Sequence, residues 1–278
     1  MLRWLSLLDG RRLVAPLVLA TLGLGACAPG AAVSAASPAT PTLAPAPALP
    51  GYGALHEFGA LRLLPPGQSG VERLVLGDVH GFVHVYERRS KAFKEVWVSQ
   101  YFEGPIGGII ITDINDDGLD EIIAYSKSGR IHFLDIHDYS TLWSNPPNEY
   151  KSITAMVVHN VDEDPQSEML LCADLRLVIY DGRDQFEEWR SDQIGIEASD
   201  MVVADVDGDG AEEIVLNDGL VFDARFHDLE WQSPEAFGER LGALDIDSDG
   251  IPEIIGEYDG RYLRIFDIDL RRMKPGRQ

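Results

Sequence analysis

A nine-residue acidic pattern recurs along the chain at a nearly constant interval, and this repeat restricts the possible folds more than any other feature of the sequence. Three copies read Asp-x-(Asp/Asn)-x-Asp-Gly-x-x-Glu, a fourth has proline in place of the glycine, and a degenerate copy at 65–73 keeps only the glycine. The sixth positions are spaced by 48, 47, 45 and 40 residues, and they are Gly70, Gly118, Pro165, Gly210 and Gly250. Self-similarity at such a period is typical of repeat architectures. The sequence therefore predicts one folded unit made of about five similar elements.

Each repeat contains four short apolar or aromatic runs separated by turn residues. One run precedes the acidic loop, a second follows it, a third comes after a short turn, and the fourth carries a tryptophan. The tryptophans are 46, 46 and 42 residues apart, and they are Trp97, Trp143, Trp189 and Trp231. Four strands per repeat are typical of a β-propeller blade, whereas a strand-and-helix solenoid would need a stretch of period 3.6 in each unit. We therefore predict an all-β β-propeller of about five four-stranded blades.

Closure of the ring is expected to involve the beginning of the folded region. The fifth repeat reaches Gln278 without a tryptophan run. We expect the segment after Gly51 to supply that strand, because closure removes exposed sheet edges.

The acidic loops have the composition of a calcium cage. Side chains at positions 1, 3 and 5 can all turn inward when the chain curls, and glycine at position 6 permits the positive φ that the curl needs. Calcium takes about six to eight oxygen ligands and tolerates irregular geometry. We predict three Ca²⁺ sites, with side-chain ligands from positions 1, 3, 5 and 9 and a main-chain carbonyl from position 7. The predicted ligands are Asp113, Asn115, Asp117, Leu119 and Glu121; Asp205, Asp207, Asp209, Ala211 and Glu213; and Asp245, Asp247, Asp249, Ile251 and Glu253.

A fourth calcium site is left open by the sequence. The copy at 160–168 keeps its polar residues, which are Asn160, Asp162, Asp164 and Glu168. However, Pro165 cannot adopt positive φ. An acidic β-turn without metal is the alternative for any single loop. An EF-hand is excluded, because it requires glutamate at position 12 and these loops have Ala124, Leu216 and Gly256 there.

The net charge of the chain is concentrated in these loops. The chain has 46 acidic and 23 basic residues, for a net charge of −23, and 18 of the acidic residues lie in the four acidic copies. Nucleic-acid binding is excluded as a function class, since it requires a basic face.

The first 50 residues predict an exported, tethered protein. Residues 13–26 are uncharged but too few to cross a bilayer, which is typical of a secretory signal. The run Leu24-Gly25-Ala26-Cys27 resembles a bacterial lipobox. That resemblance implies a lipoprotein signal peptide over 1–26, acylation of Cys27 and a lipid anchor in the bacterial cell envelope, on its periplasmic or surface face. The alternative is ordinary cleavage after Ala26. Residues 27–50 have no charge or aromatic ring and predict a disordered tether, which leaves 51–278 as the propeller.

The acidic copies and the apolar runs around them resemble the FG-GAP or VCBS repeats of integrin α-subunit propellers and bacterial surface proteins. The resemblance covers residues 54–278 and implies that the loop between the first two strands of a blade holds calcium. It places ligands at Asp113, Asn115, Asp117 and Glu121 and at their counterparts. The chain departs from the best-known members in having about five repeats rather than seven, and shorter ones.

No residue constellation indicates catalysis. His84 and His132 occupy equivalent third-strand positions and are interpreted as packing or surface residues, and Cys172 lies in an apolar run typical of the core. The tryptophans are interpreted as packing between blades, with sugar stacking as the alternative. We therefore predict a non-catalytic, calcium-stabilised adhesion or scaffolding module that binds a protein or a surface glycan on a propeller face and touches the membrane only through its anchor. The alternatives are a carbohydrate-binding or polysaccharide-lyase-type propeller and a subunit of a larger envelope complex.

Overall fold

The computed structural model describes residues 58–65, 70–162 and 164–268. The predictions for the signal peptide 1–26, for Cys27, for the tether 27–50 and for a closing strand over 51–57 lie outside these residues. The described residues contain strands, turns and irregular segments and no helix. Accordingly, no helix among them is long and apolar enough to span a membrane.

The described residues form five separate antiparallel sheets, each of which is a meander of consecutive strands. The first sheet contains β1 (Phe58–Leu64), β2 (Arg73–Asp78), β3 (Val83–Arg89) and β4 (Ala92–Val98). The second contains β5 (Ile106–Thr112), β6 (Glu121–Ser126), β7 (Ile131–Asp135) and β8 (Thr141–Ser144). The third contains β9 (Ile153–His159), β10 (Glu168–Ala173), β11 (Arg176–Asp181) and β12 (Glu187–Arg190). The fourth contains β13 (Met201–Ala204), β14 (Glu213–Leu216), β15 (Leu220–Asp223) and β16 (Leu229–Gln232).

The fifth sheet differs from the other four in its strand number. It contains β17 (Leu241–Leu244), β18 (Glu253–Tyr258) and β19 (Tyr262–Phe266), and no fourth strand pairs with β19 among the described residues. The first described strand, β1, pairs with β2 of the first sheet. The prediction of four strands per repeat is therefore confirmed for four sheets, and the described part of the fifth sheet has three.

The hydrophobic core lies between consecutive sheets. One cluster joins residues of the first and second sheets, a second joins the second and third, a third joins the third and fourth, and a fourth joins the fourth and fifth. The first strands of neighbouring sheets also contact one another, in the order β1, β5, β9, β13 and β17. Because the middle strands are covered on both faces, strands such as β6 and β10 are buried along their whole length. Cys172 of β10 is a free thiol, 1% exposed, in agreement with its predicted place in the core.

The tryptophans occupy the fourth strand of each four-stranded sheet, as the repeat predicts, and they pack between sheets. Trp97 packs against the cluster that the first sheet shares with the second, and the other three tryptophans take the same place in the following clusters. Trp97 meets Tyr139 of the next sheet with ring centroids 5.3 Å apart, and Trp143 meets Tyr180 at 5.7 Å. These side chains therefore hold adjacent repeats together.

A buried polar residue two positions after each tryptophan fixes the pairing of the third and fourth strands. These residues are Ser99, Asn145, Ser191 and Ser233, all of them buried. Ser99 Oγ accepts a hydrogen bond from Val83 N–H at 2.8 Å, Asn145 Oδ1 accepts one from Ile131 N–H at 2.8 Å, and Ser191 Oγ accepts one from Leu177 N–H at 3.1 Å. Buried backbone groups need such partners. The signal Trp-x-(Ser/Asn) occurs in all four repeats and could have been found in the sequence.

Candidate metal centre

Four acidic loops join the first and second strands of the second to fifth sheets. Loop 2 is 113–121, loop 3 is 160–168, loop 4 is 205–213 and loop 5 is 245–253. The ninth residue of each loop begins the second strand of its sheet, which places its carboxylate under the loop. These ninth residues are Glu121, Glu168, Glu213 and Glu253, with exposures of 3%, 1%, 1% and 7%.

Each buried glutamate folds back onto the start of its own loop. Its Oε2 accepts a hydrogen bond from the backbone N–H at position 2, at 3.2 Å in loop 2, 2.7 Å in loop 3, 2.8 Å in loop 4 and 2.7 Å in loop 5. The donors are Ile114, Val161, Val206 and Ile246. One carboxylate oxygen of each glutamate is therefore used to close its loop.

The glycine at position 6 adopts the backbone conformation that the curl requires. The φ angles are +87° at Gly118, +89° at Gly210 and +95° at Gly250. The N–H of each glycine donates to the Oδ2 of the aspartate at position 1, at 2.7, 3.0 and 3.0 Å. A Cβ at any of the three would meet nothing within 4 Å. Glycine is therefore needed for its φ and not for space.

Backbone N–H groups orient the carboxylate at position 5. The N–H of Leu119, Ala211 and Ile251 at position 7 donates to the Oδ1 of Asp117, Asp209 and Asp249, at 2.9 Å in each case. Loop 3 has the same bond, from Gln166 N–H to Asp164 Oδ1 at 2.8 Å. The position-5 side chains thus share the same contact in all four loops.

Carboxylate oxygens converge in three of the loops. Within each group the ligand atoms lie within 4.8 Å of one another, and the groups are Asp162, Asp164 and Glu168; Asp205, Asp207 and Glu213; and Asp245, Asp247 and Asp249. Such clusters of hard oxygen donors match the ligand preference of Ca²⁺. Glu253 closes loop 5 from below, and its carboxylate is not part of the group there.

Loop 2 is arranged differently from the other loops. The Asn115 Nδ2 donates to Glu121 Oε1 at 3.4 Å, and the Asn115 Oδ1 accepts from Asp117 N–H at 2.9 Å. The amide at position 3 therefore satisfies the glutamate oxygen that stays open in loop 3. Asp113 and Asp117 remain on the loop, with Asp117 exposed.

Loop 3 compensates for its proline. Because Pro165 has no N–H, position 1 lacks the donor that the glycine supplies elsewhere. Position 1 is Asn160, whose Nδ2 instead donates to the Asp164 carbonyl at 2.6 Å. The Gln166 amide, in its hydrogen-bonded orientation, donates to Asp164 Oδ1 at 2.7 Å and accepts from Arg183 Nη1 at 2.8 Å. The carboxylates of loop 3 therefore cluster in spite of the proline, although the sequence predicted calcium only for the other three loops and left loop 3 open.

Burial changes the acidity of two of the glutamates. The pKa of Glu121 and that of Glu168 are each raised from 4.5 to about 7, mainly because burial disfavours the charged form. The hydrogen bond from position 2 opposes this rise, and the neighbouring aspartates add to it. In loop 3 the Glu168 Oε1 is buried and has no hydrogen-bond partner among the described residues.

His84 and His132 lie outside these loops. His84 is fully buried, with Nδ1 2.7 Å from Glu95 Oε1 and Nε2 3.4 Å from Asp78 Oδ2, so it belongs to an internal hydrogen-bond network. His132 occupies the equivalent strand position in the second sheet but is stacked on Phe102 with ring centroids 3.8 Å apart.

Comparisons with known proteins support the fold and leave the function open. No family model matches the chain, and no curated protein matches it. The crystal structure of BBS1N in complex with ARL6DN, soaked with lead, aligns with a TM-score of 0.50 and 15% identity, over 72% of this chain and 62% of that one. The crystal structure of the V. cholerae biofilm matrix protein Bap1 aligns with a TM-score of 0.50 and 17% identity, over 71% of this chain and 34% of that one. This chain therefore spans less than two thirds of either, and the likeness concerns the fold alone.

Proposed function

We propose that the chain is a calcium-stabilised, non-catalytic β-propeller that serves as an interaction or scaffolding module. The observation that carries the proposal is the repeated loop in which a buried glutamate is tied to position 2 beneath a group of carboxylates. The same arrangement recurs in successive sheets, which favours a structural role over a catalytic one. A catalytic site combines groups with distinct roles at one place.

Calcium suits these loops for three reasons. The converging side chains of loops 3, 4 and 5 supply only oxygen atoms. The Oε1 of Glu168 is buried and has no hydrogen-bond partner within the described ranges, which is costly unless a cation lies beside it. Bound cations favour the charged forms of the carboxylates, whose mutual repulsion otherwise opposes folding. In this proposal Ca²⁺ joins the first two strands of a sheet, and its ligands include the converging carboxylates of each loop. These are Asp162, Asp164 and Glu168 in loop 3; Asp205, Asp207 and Glu213 in loop 4; and Asp245, Asp247 and Asp249 in loop 5.

Loop 2 fits calcium binding less well than loops 4 and 5. Asn115 already donates to Glu121. We propose that calcium binding there requires the Asn115 amide to turn its oxygen toward the ion, and that loop 2 therefore binds more weakly than loops 4 and 5. Calcium sites of extracellular modules are weak in general, with dissociation constants of about 10⁻⁴ to 10⁻³ M.

The same proposal includes a closed ring and a lipid anchor. Ring closure needs a partner for β19, and the segment after Gly51 is the proposed source. Acylation of Cys27 and the 27–50 tether hold the module at the bacterial envelope, where calcium is available. The partner is a protein or a surface glycan, and assembly into a larger envelope complex is the third possibility. A pull-down with the anchor intact identifies that partner.

The experiment that tests the calcium proposal is thermal unfolding of the purified protein in detergent. We expect EDTA to lower the Tm and added Ca²⁺ to restore it, because a ligand that binds only the folded state stabilises it by RT ln(1 + [L]/Kd). Mg²⁺ at the same concentration should raise the Tm less than Ca²⁺ does, because Mg²⁺ demands octahedral geometry. A Tm that is unchanged by EDTA and by Ca²⁺ contradicts the proposal.

A further inference from the structure

A cavity of about 470 Å³ lies between the first and second sheets, apart from the acidic loops. Its walls are the end of β4 with the segment 99–103 on one side, and β7, β8 and the turn between them on the other. This volume lies in the range of about 300–1,000 Å³ that is typical of small-molecule sites. None of the groups of metal-ligating side chains found among the described residues contributes to it.

Aromatic rings form much of the apolar wall. Trp97 and Tyr139 line the cavity, both half-buried, with ring centroids 5.3 Å apart. Phe102 is 2% exposed and stacks on the His132 ring. Tyr101 lines the same cavity and is exposed. Flat aromatic faces of this kind accept a ring that presents C–H groups.

His132 lines the same cavity and is uncharged. His132 Nδ1 lies 2.6 Å from Ser144 Oγ, while Nε2 is buried and has no hydrogen-bond partner among the described residues. Burial lowers the pKa of His132 from 6.5 to about 4, with a further decrease from the charge of Arg130, so the ring is neutral at pH 7.

The charges at the cavity cancel. Arg130 Nε lies 3.6 Å from Glu103 Oε1, and Arg130 Nη1 donates to the Asn145 carbonyl at 2.6 Å. An anion would meet the Glu103 carboxylate, and a cation would meet the guanidinium. The hydroxyl-bearing residues Ser140, Thr141 and Ser144 complete the polar wall. Hydroxyls both donate and accept hydrogen bonds, so this wall suits a neutral ligand rich in hydroxyl groups.

We propose that this cavity binds the ring of a neutral sugar, which packs one face on the aromatic wall and pairs its hydroxyls with those of Ser140, Thr141 and Ser144. The site belongs to this pair of sheets. The strand position of His132 is Val178 in the third sheet and Leu220 in the fourth, as the alignment of Phe133, Ile179 and Val221 opposite their tryptophans shows. In the first sheet His84 uses both its nitrogens internally. The sugar site is separate from the calcium loops, and its failure leaves the calcium proposal intact.

Saturation-transfer NMR and titration calorimetry of the protein in calcium buffer test this proposal. The probes are glucose, galactose, mannose and N-acetylglucosamine with their β-linked disaccharides, and the charged comparisons are glucuronate and glucosamine. We expect at least one neutral sugar to bind more tightly than either charged probe. Thr141→Trp fills the cavity from an exposed position, where the fourth sheet has Leu229, and should abolish binding without unfolding the protein.

Two matched substitutions separate the site from the fold. Trp97→Phe should weaken sugar binding, whereas Trp231→Phe, which makes the same change between the fourth and fifth sheets, should leave it unchanged. Thr141→Ala removes one hydroxyl of the polar wall and should weaken binding about tenfold, the value of one hydrogen bond. Absence of binding by every neutral sugar, tighter binding of a charged probe, or binding that survives Thr141→Trp overturns the proposal.

Discussion

The carboxylate of Glu168 accepts a hydrogen bond from Val161 N–H at 2.7 Å through one oxygen, and its other oxygen is buried with no hydrogen-bond partner in the described part of the chain. The first contact closes loop 3, and the second oxygen carries a desolvation cost that only a ligand or a proton removes.

Glu168→Gln should therefore have opposite effects with and without calcium. Glutamine keeps an oxygen for Val161 N–H and removes the buried charge, so we expect the Tm in EDTA to equal or exceed that of the wild type. In Ca²⁺ the variant loses a ligand, so its gain in Tm should be smaller than that of the wild type. Differential scanning calorimetry in the two buffers measures both. An equal calcium gain in the two proteins shows that Glu168 is not a ligand.

Asp207→Asn with Asp209→Asn should reproduce part of the effect of EDTA. The double variant removes two charges from loop 4, where Asp207 is part of the carboxylate group. We expect a lower Tm in Ca²⁺ and a smaller response to EDTA. The control is Asp192→Asn with Glu197→Gln, which makes the same charge change at exposed positions outside the loops. If the control variant shows the same changes in Tm and in the response to EDTA, the effect is due to net charge and not to the loop.

Gly210→Ala should destabilise the protein through backbone strain alone. Its φ is +89° and the added Cβ meets nothing within 4 Å. The left-handed region costs a residue with a Cβ about 1–2 kcal/mol. Gly242→Ala is the matched control, because a Cβ there also meets nothing within 4 Å and the φ is not left-handed. Urea unfolding of both variants measures the difference, and equal stabilities contradict the prediction.

Ser191→Ala should lower the free energy of unfolding by about 1–3 kcal/mol, the cost of a buried unpaired donor. The substitution leaves Leu177 N–H without its side-chain acceptor and Gln193 O without its donor. Thr141→Ala, at an exposed position of the second sheet, should change the stability little. If the two variants unfold at the same urea concentration, the side chain two positions after each tryptophan does not contribute to stability.

Acidification should destabilise the wild type more than His132→Val. The pKa of His132 is about 4 in the folded protein and 6.5 ordinarily, so the unfolded chain binds the proton first as pH falls. The stability present above pH 6.5 is thus lost between about pH 6.5 and 4. We expect a steeper decrease of Tm with pH in the wild type over this interval. His227, whose pKa burial also lowers, is present in both proteins and cancels in the comparison. If the Tm of the two proteins falls equally with pH, the lowered pKa of His132 is contradicted.

The repeat was enough to predict the sheets, because strand order in a meander follows chain order. The tryptophan spacing located the fourth strands, and the acidic copies located the loops between the first and second strands. Positive φ at Gly118, Gly210 and Gly250 follows from the glycine itself.

Side-chain orientation within the loops could not be predicted in this way. Asn115 can present either its oxygen or its nitrogen to Glu121, and the sequence does not distinguish them. The effect of Pro165 depends on a contact elsewhere in the loop, which is the hydrogen bond from Asn160 Nδ2 to the Asp164 carbonyl. The cavity between the first and second sheets could not be predicted either, because Trp97 and His132 lie in different repeats and only the packing of the two sheets brings them together.

The position of the hydrophobic clusters has a consequence for how the chain can fold. Each cluster is shared by two neighbouring sheets, so an isolated sheet exposes half of a core on each face that a neighbour would cover. The smallest cooperative unit is therefore an adjacent pair, and a change at one interface is transmitted to the next through the sheet that both share. In such an array folding can begin at any adjacent pair of sheets, and order spreads from that pair to the neighbouring sheets.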